Sequence, residues 1–555
     1  MTVLMKYRMQ LFYLSWLGIN LLQASATELL DDEAYYWMYS KFPAWGYFDH
    51  PPMIAVLIKA GYALFRSELG VRFFMVCMST ATLYLTEQLT EKKDDVLFFS
   101  ICASIALAQI GGILAVPDIP LLFFVSIFFL VYKRFVTEPA GLNTILLGIS
   151  VALMLYSKYH GILVVFFAIL SNPKLLLKYQ FYFAAAISLL IFFPHLYWQY
   201  SHGFPSVQYH LFERNAGHYN VSYTLEYLLG QIAMAGPLIG WLFLWAAFRH
   251  KPVSVTERAL KFTFYGFYLF FLLSSLKGRV EANWTAPAFV CLIVLSHQYI
   301  VENISIRKWV YKTVPFTLFI VVLARIYMLP IVNTAWLPKN EFHGNQAWVK
   351  AVEEKAGLKP VVMINSYQKA SKFSFYSGKL GFSLNTASYR RNNYNFWPIE
   401  DSLLNKQAYV LGAFDPLYLS DSFTNTRLKE SGGRNIDQYF SLSRIQLLKI
   451  KDITVKDNVL SLSVLIKTPP HYLPLLQTFP LDTARVYIGI YKDTDLVQYI
   501  RSGFRARDIH TESSRALISI PVNIPKGIYS AKLAISNAII GQPSLNSTSF
   551  KFKID

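Results

Sequence analysis

Long apolar runs fill the first three-fifths of the chain and constrain its fold more than any other feature. A helix needs about 20 apolar residues to cross a bilayer, so each run predicts a spanning helix. Only 15% of all residues are charged, whereas soluble chains carry about 25%. The sequence therefore predicts a polytopic all-α membrane domain with about eleven transmembrane helices. The apolar runs lie at 9–26, 70–88, 96–115, 119–132, 142–157, 160–171, 180–198, 224–248, 260–276, 284–301 and 313–330.

Lysine and arginine are concentrated in alternate short loops, and this predicts the orientation. Lys92 with Lys93 and Lys133 with Arg134 are examples. Basic loops stay in the cytoplasm, so we expect a multi-pass protein of the cytoplasmic (inner) membrane with its C-terminal region outside the cytoplasm. The net charge of +18 suits contact with anionic membrane lipid. No basic aromatic motif of the usual modules accompanies it, so nucleic acid is not an expected partner.

The pattern changes after about residue 335. Residues 336–432 alternate amphipathic and strand-like pieces, which predicts an extracytoplasmic α/β domain. Residues 433–555 read as strands separated by turn signals, which predicts an extracytoplasmic β-sandwich-like domain. Ser431-Gly432-Gly433 is a predicted linker between the two. The expected domains are therefore 1–335, 336–432 and 433–555.

The first predicted outer loop, 27–69, holds two unusual polar motifs. Asp31-Asp32-Glu33 places three carboxylates side by side, and these repel one another unless solvent, cations or a metal compensate. Tyr47-Phe48-Asp49-His50 precedes a Pro-Pro pair that stiffens the histidine position. Two interpretations stay open from the residues alone: a solvated, helix-capping acidic turn, or a functional site.

Four further motifs lie on the predicted outer side. Asp118 in the run 116–120 suits a helix N-cap or a functional carboxylate. Lys158, in the turn 157–161, either snorkels or holds a lipid phosphate. Cations on the outer side oppose the positive-inside trend, and binding an anionic substrate is one reason for them. The remaining residues of these motifs are Arg214, His218, Arg279 and Glu281.

The ordered set DDEAYYW, YFDHPP, PD.P, SKYHG and R.E.NW..PAF resembles the bacterial branch of the dolichyl-phosphate-mannose protein mannosyltransferase superfamily. These are integral-membrane glycosyltransferases of the GT-C type, families 39 and 83, and the undecaprenyl-phosphate aminoarabinose transferase of lipid A is a relative. The resemblance covers about the first 330 residues. It implies a glycosyltransferase that moves a sugar, with inversion, from a polyprenyl-phosphate carrier to an extracytoplasmic lipid, glycan or protein.

The resemblance also implies roles for single residues in catalysis. Asp32 and Glu33 match the family's catalytic pair, with Asp32 as the base. Tyr47 and His50 match donor-binding positions, and Asp49 matches a carboxylate that could hold a divalent metal. The relative named above has glutamate and lysine where this chain has Asp49 and His50.

The resemblance also implies which charged residues surround the phosphate of the donor. Lys158 matches the family lysine that precedes glycine, with two residues intervening here, and Asp118 matches the second acidic motif. Arg279 and Glu281 match a motif that in other members often carries histidine at the Asn283 position. The cations Arg214 and His218 complete the predicted phosphate-binding set.

The alternative function, from another class of protein, is a polytopic transporter or flippase, which the absence of an inverted repeat disfavours.

Overall fold

The structure is a computed structural model that describes residues 7–213, 219–332, 341–412, 421–424, 430–450, 453–456, 458–478, 481–492, 495–536 and 543–554. These residues form two compact units. The membrane unit comprises residues 1–211 and 218–343, and the C-terminal unit comprises 212–217 and 344–555. Each unit is described by itself.

The membrane unit is helical throughout the described part. Helices of at least ten residues are numbered here in chain order. They are α1 Arg8–Ala26, α2 Asp31–Lys41, α3 Met53–Leu64, α4 Glu68–Gln88, α5 Asp95–Ser104, α6 Asp118–Thr137, α7 Gly141–Ser157, α8 Gly161–Ser171, α9 Tyr179–Ser201, α10 Val221–Ala235, α11 Gly240–Arg249, α12 Val255–Ser275, α13 Pro287–Glu302 and α14 Ile304–Tyr327.

Every predicted apolar run contains a helix or a bent helix pair. Among the described residues, 4 helices are long and apolar enough to cross a membrane, or up to 6 if each bent pair is one span. The four are α4, α6, α9 and α14. The helical membrane unit is therefore confirmed, and the count of eleven spans stays a prediction.

Two runs expected to be continuous helices are broken, and that expectation is wrong. The run 96–115 bends by 78° after α5, and the run 224–248 bends by 91° between α10 and α11. At the second bend Gly236 has a φ of +147° and Pro237 follows it. Residues before proline avoid the helical region, and glycine readily takes positive φ, so the helix ends there.

The predicted outer loop 27–69 also differs from expectation, because it contains α2 and α3. Most residues of α2 are buried, including its aromatic side chains Tyr35 and Trp37. Burial of each aromatic ring stabilises the folded state by roughly 1.5–3 kcal/mol. The acidic motif therefore stands at the start of a rigid, buried helix.

The described part of the C-terminal unit contains helices α15 Asn345–Ala356 and α16 Tyr367–Ser377 and three sheets. The first sheet has the order β2-β1-β3-β5-β4, the second β10-β9-β12-β13 with β14 beside β12, and the third β11-β8-β6 with β7 beside β8. The strands are β1 Val361–Ile364, β2 Phe382–Leu384, β3 Ala408–Gly412, β4 Asp421–Thr424, β5 Glu430–Ile436, β6 Gln446–Lys449, β7 Thr454–Lys456, β8 Val459–Lys467, β9 Arg485–Lys492, β10 Asp495–Arg505, β11 Ser513–Pro521, β12 Gly527–Ser536, β13 Ser544–Leu545 and β14 Phe550–Ile554.

Strand content after residue 433 is confirmed, and both later sheets contribute to one hydrophobic cluster. Leu462 and Ile518 enter it from one sheet, and Ile488 and Leu533 from the other. The β-sandwich packing and the three domain bounds stay predictions. The linker prediction is wrong, because Gly432 and Gly433 lie inside β5 and pair with β3.

Candidate active site

Glu33, in the first turn of α2, is fully buried against Arg72. Its Oε1 accepts hydrogen bonds from Arg72 Nε at 2.7 Å and from the Ala115 amide at 2.8 Å. Its Oε2 accepts from Arg72 Nη2 at 2.5 Å and from the Leu30 amide at 2.9 Å. Both charged side chains are 0% exposed. A buried ion pair needs such complete hydrogen bonding to offset its desolvation. Since both oxygens are committed, we expect Glu33 to position its neighbours; its catalytic role stays a prediction.

Asp32 is the second residue of α2 and, unlike Glu33, is exposed. The positive end of the helix dipole favours a carboxylate in the first turn. The helix begins at Asp31 with Leu30 as its N-cap residue. The interpretation as a solvated, helix-capping turn is therefore wrong in one respect: Glu33 does cap the helix, since it accepts from the amide of the N-cap residue Leu30, but it is buried and not solvated. Asp32 is exposed, and its role as the base stays a prediction.

Asp118 and Lys158 form a second buried ion pair. Lys158 Nζ donates to Asp118 Oδ1 at 2.7 Å, and Asn283 Nδ2 donates to Asp118 Oδ2 at 3.0 Å. Asp118 is 3% exposed and Lys158 5% exposed. Asp118 is the first residue of α6, and the N-cap position belongs to Pro117 without a side-chain cap. The N-cap interpretation of Asp118 and the snorkelling interpretation of Lys158 are therefore wrong.

The segment 44–50 is tied together by the buried phenol of Tyr47. The hydroxyl is 3.0 Å from the Tyr39 carbonyl and 3.2 Å from the Phe42 carbonyl, and it accepts from the Ala44 amide at 3.1 Å. Burial raises the pKa of Tyr47 to about 12, so the phenol stays protonated. The hydroxyl therefore links the end of α2 to the loop that follows it. The donor-binding role of Tyr47 stays a prediction.

A buried polar network fastens the same segment to α9. His195 Nδ1 lies 2.7 Å from the Trp45 carbonyl oxygen, and His195 Nε2 lies 3.0 Å from the Tyr159 hydroxyl. Gln199 Nε2 contacts the same hydroxyl at 2.9 Å and Ser206 Oγ at 2.7 Å. Ser206 in turn donates to the Tyr47 carbonyl at 3.1 Å. Polar networks that are fully bonded in low dielectric rigidify the elements they join.

The turn 158–160 is where the predicted motifs meet. Lys158 contacts Asp118, and Tyr159 joins the network that holds segment 44–50. The ring of His160 lies 5.8 Å from that of Trp284, centroid to centroid, beside Asn283. His50 and Asp49 belong to the fastened segment, and the Asp49 carbonyl oxygen lies 3.0 Å from His210 Nε2. The structure therefore brings four of the sequence motifs together around one turn.

Other predicted residues do not join this cluster by a described contact. Arg279 is 65% exposed and pairs with Glu226 at 3.5 Å. Glu281 is partly buried two residues before Asn283. Arg214 and His218 lie outside the described residues. The phosphate-binding assignments of Arg279, Arg214 and His218 stay predictions, and so does the assignment of Glu281 to the second acidic motif.

Asp49 is 6% exposed, with the Tyr39 hydroxyl 3.5 Å from Oδ2. Among the described residues, no group of three His, Cys, Asp or Glu side chains could hold a metal ion. The tentative metal site at Asp49 is therefore not supported by a ligand cluster, and a metal requirement stays a prediction.

Sequence reasoning missed Arg72, His195 and Gln199. Arg72 and His195 lie inside the apolar runs 70–88 and 180–198, and Gln199 directly follows the second run. Polar residues in such runs face the protein interior and bind one another. His195 and Gln199 are also spaced i, i+4, which places them on one face of α9. That signal could have identified both as partners of the outer motifs.

Comparison with known proteins shows which proteins this chain is similar to. Residues 49–198 match the family of the dolichyl-phosphate-mannose-protein mannosyltransferases. The crystal structure of ArnT from Cupriavidus metallidurans in the apo state superposes with a TM-score of 0.56 at 12% identity, over 77% of this chain and 98% of that one. The same protein bound to undecaprenyl phosphate gives a TM-score of 0.54.

Residues 49–198 are therefore similar to this family of glycosyltransferases and the fold is similar to that of ArnT, so the resemblance predicted from the sequence is confirmed. A curated relative is the lipid A galacturonosyltransferase RgtD of Rhizobium johnstonii, 26% identical over 300 residues. The match covers 50% of this chain and 62% of that relative's length.

Proposed function

We propose that this protein is a glycosyltransferase that moves a sugar from a polyprenyl-phosphate carrier to a glycolipid of the lipid A type outside the cytoplasmic membrane. The observation that carries the proposal is the buried cluster of Lys158, Asp118 and Asn283 at the meeting point of the family motifs. The name of RgtD and the undecaprenyl phosphate bound to ArnT support the acceptor and the carrier.

The cluster suits contact with a departing phosphate. In the described part of the chain, Asp118 is the acceptor that Lys158 Nζ contacts. An ammonium has three donors, so two remain for phosphate oxygens. Asp118 orients the lysine before the donor arrives. Preorganised charge of this kind stabilises the negative charge that develops in the transition state.

The proposed reaction inverts the anomeric carbon. The acceptor hydroxyl oxygen attacks that carbon and loses its proton to Asp32. The bond between the anomeric carbon and the phosphate oxygen breaks, and the polyprenyl phosphate leaves with the electron pair. Glu33 and Arg72 hold the first turn of α2, so that Asp32 keeps its position during the transfer.

The finer architecture belongs to the same proposal. We infer eleven spans, a cytoplasmic N-terminus and an extracytoplasmic C-terminal unit, and the alternating basic loops support this orientation. We also infer sandwich packing of the two later sheets, which the hydrophobic cluster that they share supports. A phosphatase reporter fused after residue 555 should be active, since that enzyme works only outside the cytoplasm. Activity of a cytoplasm-dependent reporter at the same position would contradict the topology.

The decisive experiment is transfer by the purified protein. Wild-type protein is incubated with a polyprenyl-phosphate-linked sugar and a lipid A acceptor, and the mass of the acceptor is then measured by mass spectrometry. The expected product is heavier by one sugar residue, and Lys158→Met should abolish it. Absence of transfer with every such donor, together with solute or lipid movement across liposomes, would favour the transporter or flippase instead.

A further inference from the structure

The C-terminal unit carries a partly exposed face of arginine and tyrosine on strands β9 and β10, in which the β10 residues Tyr499 and Arg501 are exposed. Residues directly opposite each other in an antiparallel pair point to the same side of the sheet. The register pairs Arg485 with Arg505 and Tyr487 with Arg501, and Tyr499 with Gly489. Because Arg485, Tyr487 and Gly489 alternate along β9, all these side chains share one side. We call this set, Arg485, Tyr487, Tyr499, Arg501 and Arg505, the arginine–tyrosine face.

The arginines of this face lack acidic partners among the described residues, and this is unusual. Arg485 stands directly opposite Arg505, an arrangement of like charges that destabilises a strand pair. Desolvation, followed by repulsion from Arg501, Arg505 and Arg507, lowers the pKa of Arg485. The nearby Asp508 accepts a hydrogen bond from the Arg505 amide. Because the arginines of this face repel one another, the face is complementary to a bound anion.

The tyrosines add a flat apolar surface beside the charges. The rings of Tyr487 and Tyr499 stack at a centroid distance of 4.9 Å with an interplanar angle of 8°. Tyr499 is 37% exposed, and β10 is the edge strand of its sheet. The C–H face of a sugar ring packs on aromatic rings of this kind, while arginine forks bind phosphate with two parallel hydrogen bonds.

We propose that the arginine–tyrosine face binds a phosphorylated saccharide, in the form of the headgroup of a phosphate-bearing glycolipid. The arginines hold the phosphate, and the tyrosine pair holds the adjoining sugar ring. A bilayer of anionic phospholipid offers charge without a sugar, so the stacked tyrosines favour the saccharide. This inference deepens the proposed function, since it rests on a glycolipid acceptor and assigns the C-terminal unit a part in binding it.

The test measures binding of water-soluble headgroups to the full-length protein in phosphatidylcholine nanodiscs. The probes are a bisphosphorylated diglucosamine, the same disaccharide without phosphate, and inorganic phosphate. We expect the double variant Arg501→Gln/Arg505→Gln to bind the first probe at least about tenfold more weakly, because charge-assisted bonds are lost. Tyr499→Ser should weaken binding of the phosphorylated disaccharide and leave inorganic phosphate unchanged.

Arg515→Gln is the matched control, because Arg515 is exposed on β11 in the other antiparallel sheet. It removes one charge and should leave binding unchanged. Unchanged affinity in the double variant, equal binding of the disaccharide without phosphate, or equal competition by phosphatidylglycerol vesicles would each overturn the inference. Hydrogen exchange of β9 and β12 checks that the variants fold, and Arg501→Gln alone provides a milder change.

Different results would overturn the proposed function and the binding site on the arginine–tyrosine face. If wild-type protein binds the phosphorylated disaccharide but transfers no sugar, the proposed function is wrong and the site stands. If sugar transfer proceeds in the double variant with an unchanged KM for the acceptor, the site is wrong and the proposed function stands.

Discussion

Lys158 Nζ lies 2.7 Å from Asp118 Oδ1, and this buried pair joins the start of α6 to the turn after α7. Removing one partner of a buried pair leaves an uncompensated charge, whereas removing both often costs little. The pair therefore offers a way to separate a structural role from a role at the phosphate.

Lys158→Met should lower the free energy of unfolding by about 3–5 kcal/mol and abolish binding of polyprenyl phosphate. Adding Asp118→Leu should recover much of the stability, because no charge is then left buried, while phosphate binding stays lost. Thermal unfolding and a lipid-phosphate binding assay measure the two effects. Lys277→Met, at an exposed lysine, is the control. Recovery of phosphate binding in the double variant would remove Lys158 from the site.

Gly46→Ala should displace the segment that carries Asp49 and His50. A Cβ added at Gly46 would lie 2.4 Å from Trp198 Cε3 and 2.9 Å from His195 Nδ1. Such overpacking costs about 1–3 kcal/mol, so we expect a lower unfolding temperature and weaker donor binding. Gly18→Ala is the matched control, because nothing lies within 4 Å of its added Cβ. Donor binding at the wild-type level in Gly46→Ala would show that segment 44–50 does not contribute to it.

The C-terminal unit should lose local stability as the pH rises through neutrality. Desolvation of the fully buried Glu400 raises its carboxyl pKa to about 7, against hydrogen bonding from Ser443 and the charge of Arg444. The folded state then holds a proton that the unfolded state has released. Stability is therefore fully present below the ordinary carboxyl pKa near 4.5 and falls up to about pH 7.

Hydrogen exchange of strand β3 in the full-length protein measures this dependence. Glu400→Gln mimics the protonated acid, so it should flatten the profile between those two pH values and slow exchange at pH 8. Glu353→Gln, at a partly exposed glutamate of α15 in the same unit, is the control. A profile that keeps its slope in Glu400→Gln would show that another group titrates.

Sequence periodicity predicted the helical unit and most strands because apolar runs and alternation report burial directly. It missed β10, where most residues are exposed, Arg501 and Gly503 among them, so no buried face alternates with them. It also missed the bends at α5 and between α10 and α11, since hydrophobicity continues through them. Within the site, motif order identified Asp118 and Lys158 but not their mutual bond, which joins residues 40 positions apart.

Arg72→Met should destabilise the membrane unit severely. Arg72 binds both oxygens of Glu33 and the carbonyl of Thr27 at 2.7 Å. Its loss leaves Glu33 buried and unpaired, at a cost of about 3–5 kcal/mol. Arg72→Met with Glu33→Leu should unfold at a higher temperature than Arg72→Met alone. A double variant no more stable than Arg72→Met would show that the bonds from Arg72 to carbonyl groups matter more than the ion pair.

Asp32→Asn should abolish sugar transfer without changing stability. Asp32 is exposed at the second position of α2, while the neighbouring carboxylate of Glu33 is paired with Arg72. Replacing Asp32 by its amide keeps shape and hydrogen bonding but removes the proton acceptor, and loss of a general base costs about 10²- to 10⁴-fold in rate. Binding of polyprenyl phosphate should persist, because Lys158 and Asp118 are intact.

Asp31→Asn is the matched control one residue earlier, and it should keep most of the transfer rate. Single-turnover transfer, donor binding and unfolding temperature are measured for both variants. Unlike Asp32→Asn, Glu33→Gln should lower the unfolding temperature, because it weakens the buried ion pair with Arg72. If Asp32→Asn transfers sugar at a near-normal rate while Asp49→Asn is inactive and folded, the base is Asp49, and the exposed start of α2 serves another purpose.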